Sequence, residues 1–322
     1  MKKLLALAAI CSTVTFLLLL PACNNSSDKP AASNKEDSLK KIMDRGEYLA
    51  IHVAACLDCH STRDITKFAG PVVVGTEGQG GFEFGPGVGV PGKVYARNIT
   101  SDNETGIGTW TDEEILRAVT HGISKNGDTL FPIMPYLRYN HMAKSDLMAI
   151  ITYIRTLKPI KNKIPARQLM IPIAMAYPAP ALQASLDANV LPPQSDKVAY
   201  GAYLSNMAHC TDCHTPLTPQ GSPDMTKLFA GGHLFDVGAF KVTAANITMD
   251  SATGIGTWTE ERFMNKFLPY REEKNYNFNP GKENTIMPLP AMAGMTDSDL
   301  HAIWAYVKTI KPVTNKVEKY PK

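Results

Sequence analysis

The sequence predicts a duplicated helical fold: two similar halves, about residues 40–165 and 196–322, joined by a proline-rich segment and wrapped in long irregular loops. Three observations predict it. Cys56-Leu57-Asp58-Cys59-His60 returns as Cys210-Thr211-Asp212-Cys213-His214, 154 residues later. Asn98-Ile99-Thr100, followed by Thr105-Gly106-Ile107-Gly108-Thr109-Trp110-Thr111, returns as Asn246-Ile247-Thr248 and Thr253-Gly254-Ile255-Gly256-Thr257-Trp258-Thr259, its tryptophans 148 residues apart. Self-similarity at one long period means duplicated domains, not a solenoid. Finally, the regular stretches carry apolar residues at helical spacing, and neither half alternates strands with helices.

The elements follow in chain order. Residues 1–22 read as a lipoprotein signal peptide. Lys2 and Lys3 precede an apolar run from Leu4 to Leu20, and Leu20-Pro21-Ala22 leads to Cys23 as the lipidated residue. The alternative is an uncleaved anchor helix, with an apolar run of about 17 residues at the short limit for a membrane span. Both readings place the folded part outside the cytoplasm. Residues 23–39 are polar without apolar periodicity and read as a flexible tether. From Gly46 to Cys56 a helix with a wide apolar side is expected to deliver the first Cys-x-x-Cys-His at its C-terminal end. Gly201-Ala202-Tyr203-Leu204 precedes Cys210 as Gly46-Glu47-Tyr48-Leu49 precedes Cys56.

Residues 70–92 are rich in Gly and Pro. They lack the strand, loop, helix and Lys-Ser/Thr of a phosphate loop. They read as an irregular loop around a flat ligand, against which Phe82 and Phe84 pack, or else as ordinary core. A helix is expected after each repeated Trp. Thr111-x-x-Glu114 is a capping box; Thr259 keeps the cap, but Arg262 loses the reciprocal bond. Closing helices are expected over 145–157 and 296–310, stopped by Pro159 and Pro312. Residues 166–195 read as an ordered linker lying across domain surfaces.

The repeated Cys-x-x-Cys-His is the attachment signature of c-type haem. Two thiols two residues apart bond the porphyrin vinyls, and the next imidazole lies under the iron. On this reading Cys56, Cys59 and His60 hold one haem, and Cys210, Cys213 and His214 a second. Zinc would need further Cys or His ligands nearby, and a redox dithiol a βαβ setting. Cysteine usage agrees: of six, Cys11 lies in the leader, Cys23 at the lipid site and four in the motifs. None remains for a disulfide or a catalytic thiol. The formal charge of +3 excludes a nucleic-acid binder driven by bulk charge.

The second axial ligand decides whether a haem carries electrons or reacts. Met134, in Ile133-Met134-Pro135, lies 74 residues after His60; Met287, in Ile286-Met287-Pro288, lies 73 after His214. The matched register makes this pair the expected distal ligands, with Met142, Met292 and Met295 as competitors and core filling as the default for any single Met. His121, His141 and His233 have no counterparts in the other half and read as surface or loop residues. Each proximal His is expected to donate its other N–H to a backbone carbonyl. The candidate acceptors are Phe68-Ala69-Gly70-Pro71 and Phe229-Ala230-Gly231-Gly232, with Pro71 and Gly231 at matching places. Trp110 and Trp258 are candidate donors to a propionate, or duplicated core aromatics.

With these motifs in place, the chain resembles the multihaem cytochrome c subunits of membrane-bound quinoprotein alcohol and sugar dehydrogenases, and their free-standing dihaem relatives. The resemblance implies an all-α fold, a tandem pair of class I-like cytochrome c domains with haem-wrapping loops, each with a His/Met-ligated haem. It differs from the better-known subunits in carrying two haem motifs where they often have three. The function expected is electron transfer between a periplasmic dehydrogenase or quinol-oxidising complex and a cytochrome or terminal oxidase, without catalysis. The alternative is a dihaem peroxidase, which would need one iron with an open distal position.

Overall fold

The computed structural model describes residues 30–177, 182–219 and 221–322. They divide into two units, Met1–Leu39 and Lys40–Lys322. The expected signal peptide and Cys23 lie outside the described residues. The first helix, α1 (Pro30–Tyr48), begins inside the stretch read as a tether, which corrects that reading from Pro30 onward. Proline is compatible with a first helical turn, and the Ala, Lys and Glu residues that follow are good helix formers.

The second unit contains both halves, and each begins with a helix that crosses its closing helix closely. In the first half α1 crosses α5 (Lys144–Ile154); in the second α7 (Lys197–Met207) crosses α11 (Asp297–Val307). Both crossings depend on glycine. A Cβ on Gly46 would collide with the Ala149 carbonyl, and one on Gly201 with the Ala302 carbonyl. The closing helices match the expected spans to within one residue at their N-terminal ends and are three residues shorter at their C-terminal ends.

The attachment motifs are not the ends of the preceding helices. α1 passes into a π-helical turn, Leu49–Val53, in which Ala54 N–H donates to the Leu49 carbonyl at 2.8 Å. Ala55 then takes a left-handed conformation (φ 48°), and a new short helix, α2 (Cys56–His60), starts. In the second half His209 is left-handed (φ 45°) before α8 (Cys210–His214). The expectation of one helix ending at the motif is corrected: the motif opens its own helix. The π-turn has a cause legible in the spacing. Gly46 lies ten residues before Cys56, but Gly201 only nine before Cys210. The wider turn absorbs the extra residue without rotating the rest of the helix out of register.

Among the described residues helices occupy 37% and strands 7%, so the fold is helix-rich but not strictly all-α. β1 (Glu83–Phe84) pairs antiparallel with β2 (Gly92–Tyr95), and β2 with β3 (Gln168–Leu169). In the second half β4 (Leu234–Asp236) pairs with β5 (Lys241–Thr243). The sequence places β1 in the loop expected over 70–92 and β3 in the linker, and offers no element at β4 or β5. Strands of two to four residues show too little period-two pattern to be read.

After each repeated Trp a capped helix starts. In α3 (Asp112–His121) the Thr111 hydroxyl accepts from Glu114 N–H at 3.2 Å, and the Glu114 carboxylate accepts from Thr111 N–H at 2.8 Å. In α9 (Glu260–Met264) Thr259 caps Arg262 N–H at 3.2 Å without the return bond. The short helices α4 (Tyr136–Tyr139) and α10 (Leu289–Ala293) follow the two Met-Pro segments. Within the linker lies α6 (Ile173–Ala176). Linker residues bond to the first half: Asn140 exchanges two hydrogen bonds with the Gln183 backbone, and Asn189 donates to the Asn140 and Met142 carbonyls.

The Asn-Ile-Thr repeat is a structural clamp. Asn98 Nδ2 donates to Thr105 Oγ1 and to the Ile160 carbonyl, while its Oδ1 accepts from Thr100 N–H. Asn246 does the same with Thr253, the Val313 carbonyl and Thr248. What each clamp holds is a strap after the closing helix, Lys158–Lys163 or Lys311–Lys316. These straps share the pattern Lys-Pro-x-x-Asn-Lys, a third repeat that sequence reading missed although the same self-comparison would have found it.

The halves meet through reciprocal contacts. Tyr48 donates to Asp299 Oδ2 at 2.6 Å, and Tyr203 donates to Asp146 Oδ2 at 2.8 Å. Arg45 adds a two-pronged pair to Asp146, at 3.0 and 2.8 Å. Both carboxylates are buried, and buried charges persist only when paired or fully hydrogen-bonded. Burial works against the Arg45 charge, but the Asp146 pairing outweighs it and raises the Arg45 pKa.

Candidate functional site

His60 Nδ1 lies 2.7 Å from the Arg97 carbonyl, and His214 Nδ1 lies 2.8 Å from the Ala245 carbonyl. A carbonyl only accepts, so each Nδ1 carries the hydrogen and each Nε2 presents its lone pair. Burial lowers both imidazole pKa values, partly opposed by these hydrogen bonds, and favours the neutral form a metal requires. The expectation of a carbonyl partner holds; its location does not. Pro71 accepts instead from Asp64 N–H at 2.9 Å, and Gly231 donates its N–H to the His214 carbonyl at 2.7 Å. The first-half residue that does the same for His60 is Gly80, also at 2.7 Å, so Gly231 matches Gly80 and not Pro71. Both Phe-Ala-Gly strings follow the same Asp-x-Thr-Lys turn, in which Thr66 bonds to Asp64 as Thr226 bonds to Asp224. The strings are offset by one residue, since Gly70 N–H bonds to the Lys67 carbonyl as Ala230 N–H, not Gly231, bonds to that of Lys227.

The four motif cysteines are free and half-buried. Desolvation pushes the Cys56 thiol up to about 12, Cys59 to about 11 and Cys213 to about 12, and also raises Cys210. They are thus held as neutral thiols.

Met134 and Met287 are both half-buried, whereas the competitors Met142, Met292 and Met295 are buried in the core. Each of the pair enters the same backbone turn. Tyr136 N–H reaches back to the Met134 carbonyl at 2.8 Å around Pro135 (φ −81°, ψ 49°). Leu289 N–H reaches the Met287 carbonyl at 2.7 Å around Pro288 (φ −76°, ψ 59°). These are inverse γ-turns, which proline's fixed φ favours. Ile286, next to Met287, packs with Cys213 against one apolar cluster of Phe235, Phe240 and Val242. A cavity of about 390 Å³ opens beside that cluster, lined by Arg63, Phe82, Val88, Phe240, Asn284 and Ile286 among others. Phe82 and Phe84 pack edge to face, 5.0 Å between centroids.

The tryptophans do not match in detail. Trp258 lies under the Arg262 guanidinium at 4.8 Å and the Lys266 ammonium at 5.3 Å. Trp110 packs on the core, and its carbonyl accepts from Arg155. Among the described residues neither indole donates a hydrogen bond to protein. His121 and His141 bond to Gln183 in the linker. His233 bonds to the Asp212 carbonyl and stacks on Phe235.

Sequence reading missed the residues that join the two motifs. Arg138, four residues after Met134, grips Asp212 inside the second motif at 3.0 and 2.6 Å. Asp58 of the first motif pairs instead with Arg63, at 3.5 Å, from its own half. Burial raises the Asp58 pKa against the pull of that arginine. Tyr139 Oη lies 3.0 Å from His209 Nε2, which in turn lies 3.1 Å from the Ala54 carbonyl. The residue preceding Cys210 thus touches the chain two residues before Cys56.

The donor set fits a c-type haem at each motif: two neutral thiols at fixed spacing, an imidazole with a free Nε2, and a half-buried thioether in a stiffened turn. Among the described residues no group of His, Cys, Asp and Glu side chains gathers as a zinc centre requires. No family model matches the chain. It is 30% identical to the gluconate 2-dehydrogenase cytochrome c subunit of Pantoea cypripedii, over 96% of this chain and 65% of that one. It is 28% identical to the cytochrome c subunit of the quinone alcohol dehydrogenase of Gluconobacter oxydans, over 88% of this chain and 57% of that one. A dihaem c-type cytochrome of Cereibacter sphaeroides is 27% identical over 84% of this chain and 86% of its own. The chain therefore spans less than two thirds of the length of the two dehydrogenase subunits. Over most of its length it is similar to the cytochrome c subunits of gluconate and alcohol dehydrogenases, the family its duplicated motifs resemble.

Proposed function

We propose that the chain is an exported two-haem c-type cytochrome that carries electrons, built as a tandem pair of class I-like cytochrome c domains. Cys56 and Cys59 hold one haem covalently, and Cys210 and Cys213 the other. His60 and Met134 would ligate the first iron, and His214 and Met287 the second. The observation that carries this is the repetition of the whole donor set, including the backbone turn at each Met-Pro, at matched register.

The bound group supplies one-electron iron chemistry at a potential that thioether ligation raises above bis-His ligation. The polypeptide supplies fixed geometry. The Arg97 and Ala245 carbonyls orient the imidazoles, Pro135 and Pro288 stiffen the thioether segments, and the loops limit water. Such a carrier needs neither a proton donor nor a substrate cavity. The donor is read as a periplasmic dehydrogenase or quinol-oxidising complex, and the acceptor as a cytochrome or terminal oxidase. The subunit names of the relatives support the dehydrogenase side. Lipid attachment at Cys23 would tether the protein to the periplasmic side of a membrane.

The ferric spectrum of the holoprotein tests the reading. Two covalent haems per chain, Fe–S(Met) charge-transfer intensity for both and no high-spin signal are expected. A high-spin fraction with peroxide turnover would overturn the carrier in favour of an enzyme.

A further inference from the structure

Three residues before Met287 stands Asn284, only 1% exposed. Its Oδ1 accepts from Ala69 N–H at 2.9 Å and from Thr285 N–H at 2.8 Å. Its Nδ2 donates to the Ile65 carbonyl at 3.1 Å and the Lys67 carbonyl at 3.0 Å. An amide side chain has two donors and one two-lone-pair acceptor, so Asn284 is fully used. Three of its four bonds go to the loop just after His60, in the other half of the chain. The same loop is gripped a second time: Phe68 N–H donates to the Phe278 carbonyl at 2.9 Å, and its ring stacks on Tyr270 and Phe278. From Asn284 the constraint reaches Met287 through Thr285, whose Oγ1 accepts from Met287 N–H at 3.1 Å.

The first half has no such arrangement. Three residues before Met134 stands Phe131, which has no side-chain donor or acceptor. The chain before Met134 is held by Arg167 on the Thr129 carbonyl and by Tyr136 on the Leu130 carbonyl, the former from the linker and the latter from its own half.

We propose that Asn284 is the positioning residue for Met287, so that distal ligation of the second haem depends on the Ile65–Ala69 loop of the first half, whereas Met134 is held independently. The inference rests on the reading of Met287 as an iron ligand. A buried amide meeting four backbone groups has one productive geometry. Its removal leaves the Ile65 carbonyl and the Ala69 and Thr285 N–H groups without that partner, while the Lys67 carbonyl keeps Gly70 N–H. Unmade hydrogen bonds of buried groups are costly, and the segment before Met287 shifts to satisfy them.

The test uses full-length holoprotein and compares N284A, F68L and M287A by ferric spectrum and by binding of exogenous imidazole. F68L loosens the same loop from its other side without touching Asn284. N284A is expected to keep both covalent haems and to lose about half of the Fe–S(Met) band, as M287A does, with one haem per chain binding imidazole. F68L is expected to show the same change in smaller degree. Full band intensity in N284A, against a halved band in M287A, would overturn the inference and leave the ligand standing. An unchanged band in M287A would remove Met287 as a ligand and the inference with it. Loss of the whole band in N284A would also overturn it, since Met134 is held elsewhere.

Discussion

The imidazoles of His60 and His214 are each oriented by one carbonyl, and the thioethers of Met134 and Met287 each by one proline-stiffened turn. A thioether is a weak ligand, so its loss is the most selective change available at a single position. Met134→Ala is expected to open one haem to imidazole or cyanide and to lower its potential, leaving the other haem's spectrum unchanged. A ferric spectrum identical to wild type would show that Met134 is not a ligand. The residues proposed for covalent attachment stand out in the sequence because haem attachment would fix both residue type and spacing. The proposed distal pair stands out because duplication supplies an internal comparison for each Met. The carbonyl partners of the histidines do not. Arg97 and Ala245 act through the backbone, so their side chains carry no common signal, and the Phe-Ala-Gly match, offset by one residue in the structure, pointed to Pro71 instead.

Among the elements, the two helix crossings are the least tolerant. The Gly46 and Gly201 backbones lie against the carbonyls of Ala149 and Ala302, where overpacking costs about 1–3 kcal/mol. Gly201→Ala is expected to lower stability to chemical denaturation by that amount, and Gly46→Ala by somewhat less, because the adjacent π-turn can give. Equal denaturation midpoints for Gly201→Ala and wild type would refute the crossing geometry. Helices, caps and stop signals were readable, since each rests on local chemistry over several residues. The five strands were not, because two to four residues paired across loops have no pattern of their own. The break before each motif was missed for a similar reason: a left-handed Ala55 or His209 is imposed by surrounding contacts, not by residue preference.

The whole molecule is closed by the reciprocal pairs Tyr48–Asp299 and Tyr203–Asp146. Burial raises both phenol pKa values, and the carboxylate acceptors raise them further. A group whose pKa is raised on folding contributes stability that is complete below its unfolded value, about 10 for tyrosine, and is lost as pH climbs beyond it. The denaturation midpoint is therefore expected to hold to about pH 9 and to fall above about pH 10, with a shallower fall in a Tyr48→Phe/Tyr203→Phe variant. A midpoint that stays flat through this window would argue against the pairs. A surface on which a contacts b while b contacts a is isologous, the form of contact found in a two-fold homodimer. The two halves meet in that form within one polypeptide, where they need not be identical. Arg138 and Asn284 use that freedom: each holds the opposite half by bonds that Ala291 and Phe131, at the corresponding places, could not make.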